Sequence, residues 1–307
     1  MEINGKVLIV CNPLSGKGKG GRHAKRLCHA ITKRGGDVEV FESKAIEHTY
    51  EFCKENAGNP FGYSLVVVIG GDGTLSIVLD AMLKNEFVVP IYAFGGGTAN
   101  DFSSYFRTNK RVRRAVKIIE TGNLVWADTL LVNANQHAVN NAAGGAFTNG
   151  VTNYSKRSKK IFGRFAYLFK AFFSAFTLKS QVVKFKCDDE EFSADVFLFY
   201  ILNTKSVGSL KCAGGHADPS DGKLDLVCIC KCRLWGKICI GLSVLFKRLH
   251  RCKSVIYRQG QTFDVEIIGE AGKNFTHTDI DGNPGAPYPL LVDVGQKIQV
   301  VSNRKKV

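Results

Sequence analysis

The run Leu65-Val66-Val67-Val68-Ile69 ends in Gly70-Gly71-Asp72-Gly73-Thr74, and a helix-spaced segment, Leu75–Lys84, follows at once. Five consecutive aliphatic side chains leave no polar face, so the run reads as a strand buried on both sides. Such strands belong to parallel sheets covered by helices. The same alternation surrounds it. Val7–Val10, Val38–Phe41 and Val88–Phe94 are strand-like, while Gly21–Arg34 and Val112–Thr121 are helical. This order predicts a doubly wound α/β domain with helices on both faces of a parallel sheet.

The pattern changes after Trp126. Leu130–Val132, Ala138–Asn140, Gln181–Lys186, Asp195–Leu202, Leu224–Cys230, Val255–Tyr257, Thr262–Ile268 and Leu290–Val294 read as strands. Two helical stretches, Lys160–Phe176 and Leu234–Arg248, interrupt them. The expected division is an α/β nucleotide-binding domain over residues 1–128 and a β-rich domain over 129–307.

Glycine is concentrated where strands end. Gly70–Thr74 lies between a strand and a helix, where open α/β sheets bind ligands. Backbone N–H groups in such a turn face a phosphate, and the helix N-terminus favours negative charge. Asp72 is out of place for anion binding alone; beside phosphates it suits a divalent cation or a transferring proton. A tight turn with Asp72 as helix cap is the plainer reading. Gly95-Gly96-Gly97-Thr98-Ala99-Asn100-Asp101-Phe102 adds a second loop at the same sheet edge. Gly16-Lys17-Gly18-Lys19-Gly20-Gly21 formally fits G-x-G-x-x-G, but Asn12-Pro13-Leu14-Ser15 separate it from the strand, unlike a dinucleotide fingerprint. The Walker pattern also fails, because Gly18 follows Gly16-Lys17.

Lys and Arg number 42 against 27 Asp and Glu, a net charge of +15. So basic a chain suggests an anionic partner. No helix-turn-helix, zinc or RNA-binding signature accompanies the charge, so nucleic acid is not expected. The ten Cys read as reduced thiols of a cytosolic protein, since Met1–Gly5 leads into a strand without a secretory pattern. Leu234–Phe246 is too short to span a bilayer and contains Lys237. Phe162, Phe165, Phe169, Phe172, Phe173 and Phe176 crowd one helical segment that Lys156, Arg157, Lys159, Lys160 and Arg164 precede or begin. That segment suits core packing, an acyl-chain groove or a membrane surface.

Taken together, Asn12–Gly16, Gly70–Thr74, Gly97–Phe102, Asn141–Gly145, Asp221–Asp225 and Asp281-Gly282 resemble the diacylglycerol kinase-type lipid kinases, in order and spacing, over nearly the whole chain. The length is similar to that of compact bacterial members. The resemblance implies an α/β domain and a C-terminal β-sandwich domain, with ATP bound between them and a last strand that often returns to the first domain. It implies that Gly70, Gly71, Asp72, Gly73 and Thr74 contact ATP, with Asn12, Ser43, Gly97 and Thr98. It assigns Asp281 as general base, Asp72 as a catalytic partner, and Asp101 and Asp128 as acids organising catalytic Mg²⁺. Asp218, Asp221 and Lys223 match positions around a structural Mg²⁺, Lys223 through its carbonyl.

The implied reaction is ATP-dependent phosphorylation of a lipid hydroxyl, with diacylglycerol first among the acceptors. A cytoplasmic protein held peripherally at an anionic membrane follows, with a homodimer among the open oligomeric states. One departure stands out: the family has Asp-Gly-Glu where this chain has Asp281-Gly282-Asn283. A degenerate member that only binds nucleotide or membrane is therefore one alternative. NAD kinase, which shares Gly-Gly-Asp-Gly-Thr, is the other.

Overall fold

A computed structural model describes residues 5–145, 179–208, 210–211, 213–246, 248–272 and 275–304. The basic, Phe-rich segment from Lys156 to Phe176 lies outside the described residues. Chain contacts form two compact units. One comprises Met1–Thr129, Gln136–Asn140 and Gly295–Val307, the other Leu130–Asn135 and Asn141–Val294.

The first unit contains strands β1 (Lys6–Cys11), β2 (Val38–Glu42), β3 (Tyr63–Gly70), β4 (Ile91–Gly95) and β5 (Asn123–Ala127). Its helices are α1 (Ser15–Gly18), α2 (Gly20–Thr32), α3 (Ile46–Glu55), α4 (Asp72–Lys84), α5 (Asp101–Tyr105) and α6 (Val112–Thr121). The sheet runs β2-β1-β3-β4, then Ile298–Ser302, then β5. The first four strands are mutually parallel. Ile298–Ser302 pairs parallel with β4 and antiparallel with β5.

Side-chain alternation explains the two helical layers. Leu8, Val10, Val66 and Val68 enter one core with Leu75, Val78, Leu79 and Met82 of α4 and Phe102 of α5. Val7, Ile9, Leu65, Val67 and Ile69 enter the other with Ala24, Leu27 and Ile31 of α2 and Ala115, Val116 and Ile119 of α6. Each such aliphatic side chain contributes about 1.5–3 kcal/mol when fully buried. The sheet centre is therefore a rigid platform for the loops at its edge.

Local departures from the expected elements have physical causes. β4 starts at Ile91, because Pro90 has no N–H to donate. α3 escapes an apolar-periodicity reading because its buried positions are Thr49 and Cys53. The strand expected at Ala138–Asn140 is formed instead by Gln136–Ala138.

The second unit is an antiparallel sheet. Its spine is Glu190–Leu202, which pairs with Gln181–Cys187 along its first half and with both Leu224–Cys230 and Asn141–Gly145 along its second. One helix, α7 (Leu234–Leu245), joins Leu224–Cys230 to Val255–Gly260 through the short turn Leu249–Arg251. Among the described residues, no helix is long and apolar enough to cross a membrane.

Candidate functional site

Because β1 to β4 are parallel, their C-terminal ends share one edge. Cys11 is level with Glu42 and with Ile69, and Gly70 is level with Gly95. The next residues along each strand are therefore Asn12, Ser43, Gly71 and Gly96. The order reverses at β1 and β3, the switch point at which open sheets take ligands.

Backbone contact between the loops is close. The Gly96 N–H donates to the Gly70 carbonyl at 2.7 Å. A Cβ on Gly97 would lie 2.5 Å from the Cα of Gly71, and one on Gly70 would lie 2.4 Å from the Cβ of Thr74. A Cβ on Gly16, at φ +59°, would meet the Gly96 carbonyl oxygen at 2.6 Å. Three glycine loops thus interlock where no side chain fits. The Ser15 hydroxyl, near Gly20 and Gly96, is buried without a hydrogen-bond partner.

Side chains fasten these loops. The Asn12 side-chain oxygen accepts the Leu14 N–H at 2.9 Å, forming an Asx turn. Asn100, at φ +55°, clamps Gly97: its Oδ1 accepts the Gly97 N–H at 2.7 Å, and its Nδ2 donates to the Gly97 carbonyl at 2.9 Å. Asn100 lies within the recognised motif but had no expected site role; its left-handed backbone could have been suspected from residue type. Thr98 is exposed. The Ser43 hydroxyl is 2.6 Å from that of Thr49, and its N–H donates to the Cys11 carbonyl.

Asp72 connects the second loop to the third. Its Oδ2 accepts the Asp101 N–H at 3.0 Å and its Oδ1 the Phe102 N–H at 3.2 Å. These are first-turn donors of α5, which no intrahelical carbonyl can satisfy. Burial pushes the Asp72 carboxyl above its ordinary pKa, against the pull of these N–H groups. The Asp101 side chain is buried on α5, and Asp128 is buried after β5, with the Lys297 ammonium 3.5 Å away.

The remaining expected site residues lie in the second unit. Ile280 pairs with Asn283, so Asp281-Gly282 is a two-residue hairpin loop with φ of +52° and +84°. Positive φ at both positions is the requirement of a type I′ turn. Asp281 is buried, and its Oδ1 accepts the Asn141 N–H at 2.8 Å. Its own N–H donates to the Asn141 carbonyl at 3.1 Å. Burial also raises the Asp279 carboxyl above its ordinary value, opposed by the Gly282 N–H and the Asn141 side chain. Asp218, Asp221 and Lys223 share one turn. The Asp221 N–H donates to the Asp218 carbonyl at 3.2 Å, and the Lys223 N–H to Asp221 Oδ1 at 2.9 Å. Gln259 Nε2 donates to Asp221 Oδ2 at 3.2 Å. Among the described residues, no three His, Cys, Asp or Glu side chains converge as a metal centre.

Comparison with known proteins bears on the family and the fold. Residues 6–132 fit the diacylglycerol kinase catalytic domain. The diacylglycerol kinase of Staphylococcus saprophyticus is 26% identical over 298 residues, 95% of this chain and 93% of that protein. That of Bacillus subtilis is 23% identical over 300 residues, 97% of this chain and 96% of that protein. A crystal structure of a diacylglycerol kinase from Bacillus anthracis superposes with a TM-score of 0.74 at 19% identity, covering 97% of this chain and 96% of that one, so the fold is shared. The resemblance carried by the glycine motifs is thus shown: residues 6–132 match the diacylglycerol kinase catalytic domain, and the chain shares the fold of diacylglycerol kinase-like proteins.

Proposed function

We infer that this protein transfers the γ-phosphoryl group of ATP to the hydroxyl of a lipid, with diacylglycerol the first acceptor to test. One observation carries the reading: three glycine loops interlock at the C-terminal edge of β1, β3 and β4, backbone against backbone. Polyphosphate needs such a cradle, because N–H groups can approach its oxygens only where no Cβ stands between them. The buried, unpartnered Ser15 hydroxyl adds a donor suited to a phosphate oxygen.

In the proposed reaction the acceptor oxygen bonds to the γ-phosphorus as the bond to the β,γ-bridging oxygen breaks. ADP leaves, and the hydroxyl proton passes to the Asp281 carboxylate. The Asn141 N–H would hold that carboxylate in place. Asp72 would act by positioning, since its oxygens hold the N-terminus of α5 beside the Gly97 loop. Mg²⁺ bound with ATP would offset the charge of the transferring group. The oxygen donors of Asp218, Asp221 and the Lys223 carbonyl are hard ligands of the kind Mg²⁺ takes, and they suit a structural ion.

The test is transfer of labelled γ-phosphate to diacylglycerol in mixed micelles with Mg²⁺, with NAD⁺ as the control acceptor. Labelled phosphatidic acid is the expected product. Labelling of NAD⁺ alone would overturn the reading in favour of a nucleotide kinase.

A further inference from the structure

Helix α7 buries only Ile240 and Gly241. Val244 packs against the same core, while most of the other apolar side chains face outward: Leu234 is 70% exposed, Trp235 78%, Leu242 50%, Leu245 66% and the following Phe246 67%. With Ile238, these residues recur at helical spacing and form one continuous apolar stripe. Scattered exposed apolar residues need no explanation, but a stripe with an exposed Trp marks a surface that is covered in use.

The charge that the flanking sequence brings is of one sign, although Lys231 is paired with Asp195 at 2.9 Å. No Asp or Glu occurs between Asp225 and Asp264. That stretch contains Lys231, Arg233, Lys237, Arg248, Arg251 and Lys253. Arg233 is the exposed N-cap of the helix, and Arg248 and Arg251 are exposed just beyond its C-terminal end. At 12 residues the helix cannot span a bilayer. A short apolar stripe rimmed by cations instead suits the plane of an anionic bilayer, with aliphatic and indole groups among the acyl chains and Lys and Arg at the headgroups.

We propose that α7 is a membrane-docking element, which lays its Leu234–Phe246 face on anionic lipid. This deepens the lipid-kinase reading and rests on it for its biological purpose, but its physical test is separate. The probe is the full chain mixed with vesicles of phosphatidylglycerol and phosphatidylcholine, or of phosphatidylcholine alone. In a Trp126→Phe background, Trp235 emission should shift to the blue and be quenched by brominated acyl chains in anionic vesicles. The triple variant Trp235→Ser, Leu242→Ser, Leu245→Ser should lose at least about tenfold in vesicle partitioning, because it removes three exposed apolar side chains that the bilayer would bury. Unquenched Trp235, or unchanged partitioning of the triple variant, would overturn the proposal. So would loss in that variant of a dimer that forms without lipid, which would assign the stripe to a second copy of the chain. Phosphorylation of micelle-dispersed diacylglycerol separates the two readings. If it occurs while α7 stays dry, only the docking proposal falls; if it fails while α7 docks, only the kinase reading falls.

Discussion

Asp72 Oδ2 accepts the backbone N–H of Asp101 at 3.0 Å, joining two glycine loops that lie 29 positions apart in sequence. With the second bond, from the Phe102 N–H to Oδ1, the carboxylate caps α5 from outside that helix. Asp72→Ala should therefore destabilise the protein by about 1–3 kcal/mol, because it leaves buried donors unsatisfied. It should also weaken ATP binding. Asp72→Asn keeps one acceptor oxygen and should cost less. Urea midpoints of the three proteins check the order; equal midpoints would contradict it.

The interlocked glycines make a sharper case. A Cβ on Gly97 would overlap the backbone of Gly71, whereas Gly58 has no neighbour within 4 Å of such an atom. Gly97→Ala should cost about 1–3 kcal/mol as an overpacked contact, and it should abolish measurable nucleotide binding by titration calorimetry. Gly58→Ala, at φ +67°, should show only backbone strain and unchanged ATP affinity.

Asp281 separates charge from architecture. Asn at this position keeps an acceptor for the Asn141 N–H and tolerates positive φ. Asp281→Asn should therefore fold normally while turnover falls by about 10²–10⁴, the usual worth of a general base. Asp281→Ala should also lose about 1–3 kcal/mol of stability, since Ala neither accepts that N–H nor favours φ near +52°. Circular dichroism melts beside initial rates distinguish the two effects.

His23 supplies a pH dependence. It packs against Phe94 with ring centroids 5.4 Å apart, and its Nδ1 is buried without a hydrogen-bond partner. Burial, then Arg26, Lys19, Arg22 and Lys110, hold its imidazole below the ordinary value of 6.5. On acidification the unfolded chain takes up this proton before the folded one does. Stability should therefore fall as pH drops below that value, until the folded pKa is passed. His23→Gln should remove this part of the slope in urea midpoints measured between about pH 7 and about pH 5. An unchanged slope would contradict the assignment.

Much of the first unit was legible because its signals are local. Leu65–Ile69 announces a buried strand by composition, and Gly70–Thr74 and Gly95–Asn100 announce turns that need bare backbone. What escaped depends on partners distant in sequence. Nothing near Asp72 shows that its oxygens reach Asp101 and Phe102, and nothing near Asp281 shows that it accepts from Asn141, 140 positions earlier. The hairpin at Asp281-Gly282 was legible from residue type, whereas its burial was not. Leu234–Phe246 illustrates a different limit. Its apolar character is visible in the sequence, but only the fold shows that the stripe faces outward.

Asp221 tests the Mg²⁺ assignment. If its turn holds a structural ion, Mg²⁺ should stabilise the wild type by about 2.7 kcal/mol at a hundredfold excess over Kd. Asp221→Ala should lose that response. Thermal melts with and without a chelator decide it, and an equal shift in both proteins would remove Asp221 from the ligand set.

The most direct measurement of the central claim is mass spectrometry of lipid extracted after wild-type protein and Asp281→Asn are each incubated with ATP, Mg²⁺ and diacylglycerol in mixed micelles. The account predicts phosphatidic acid from the wild type and about 10²–10⁴ less from the variant in the same time. Equal yields would remove Asp281 from the chemistry, and no phosphorylated lipid from the wild type would contradict the lipid-kinase reading itself.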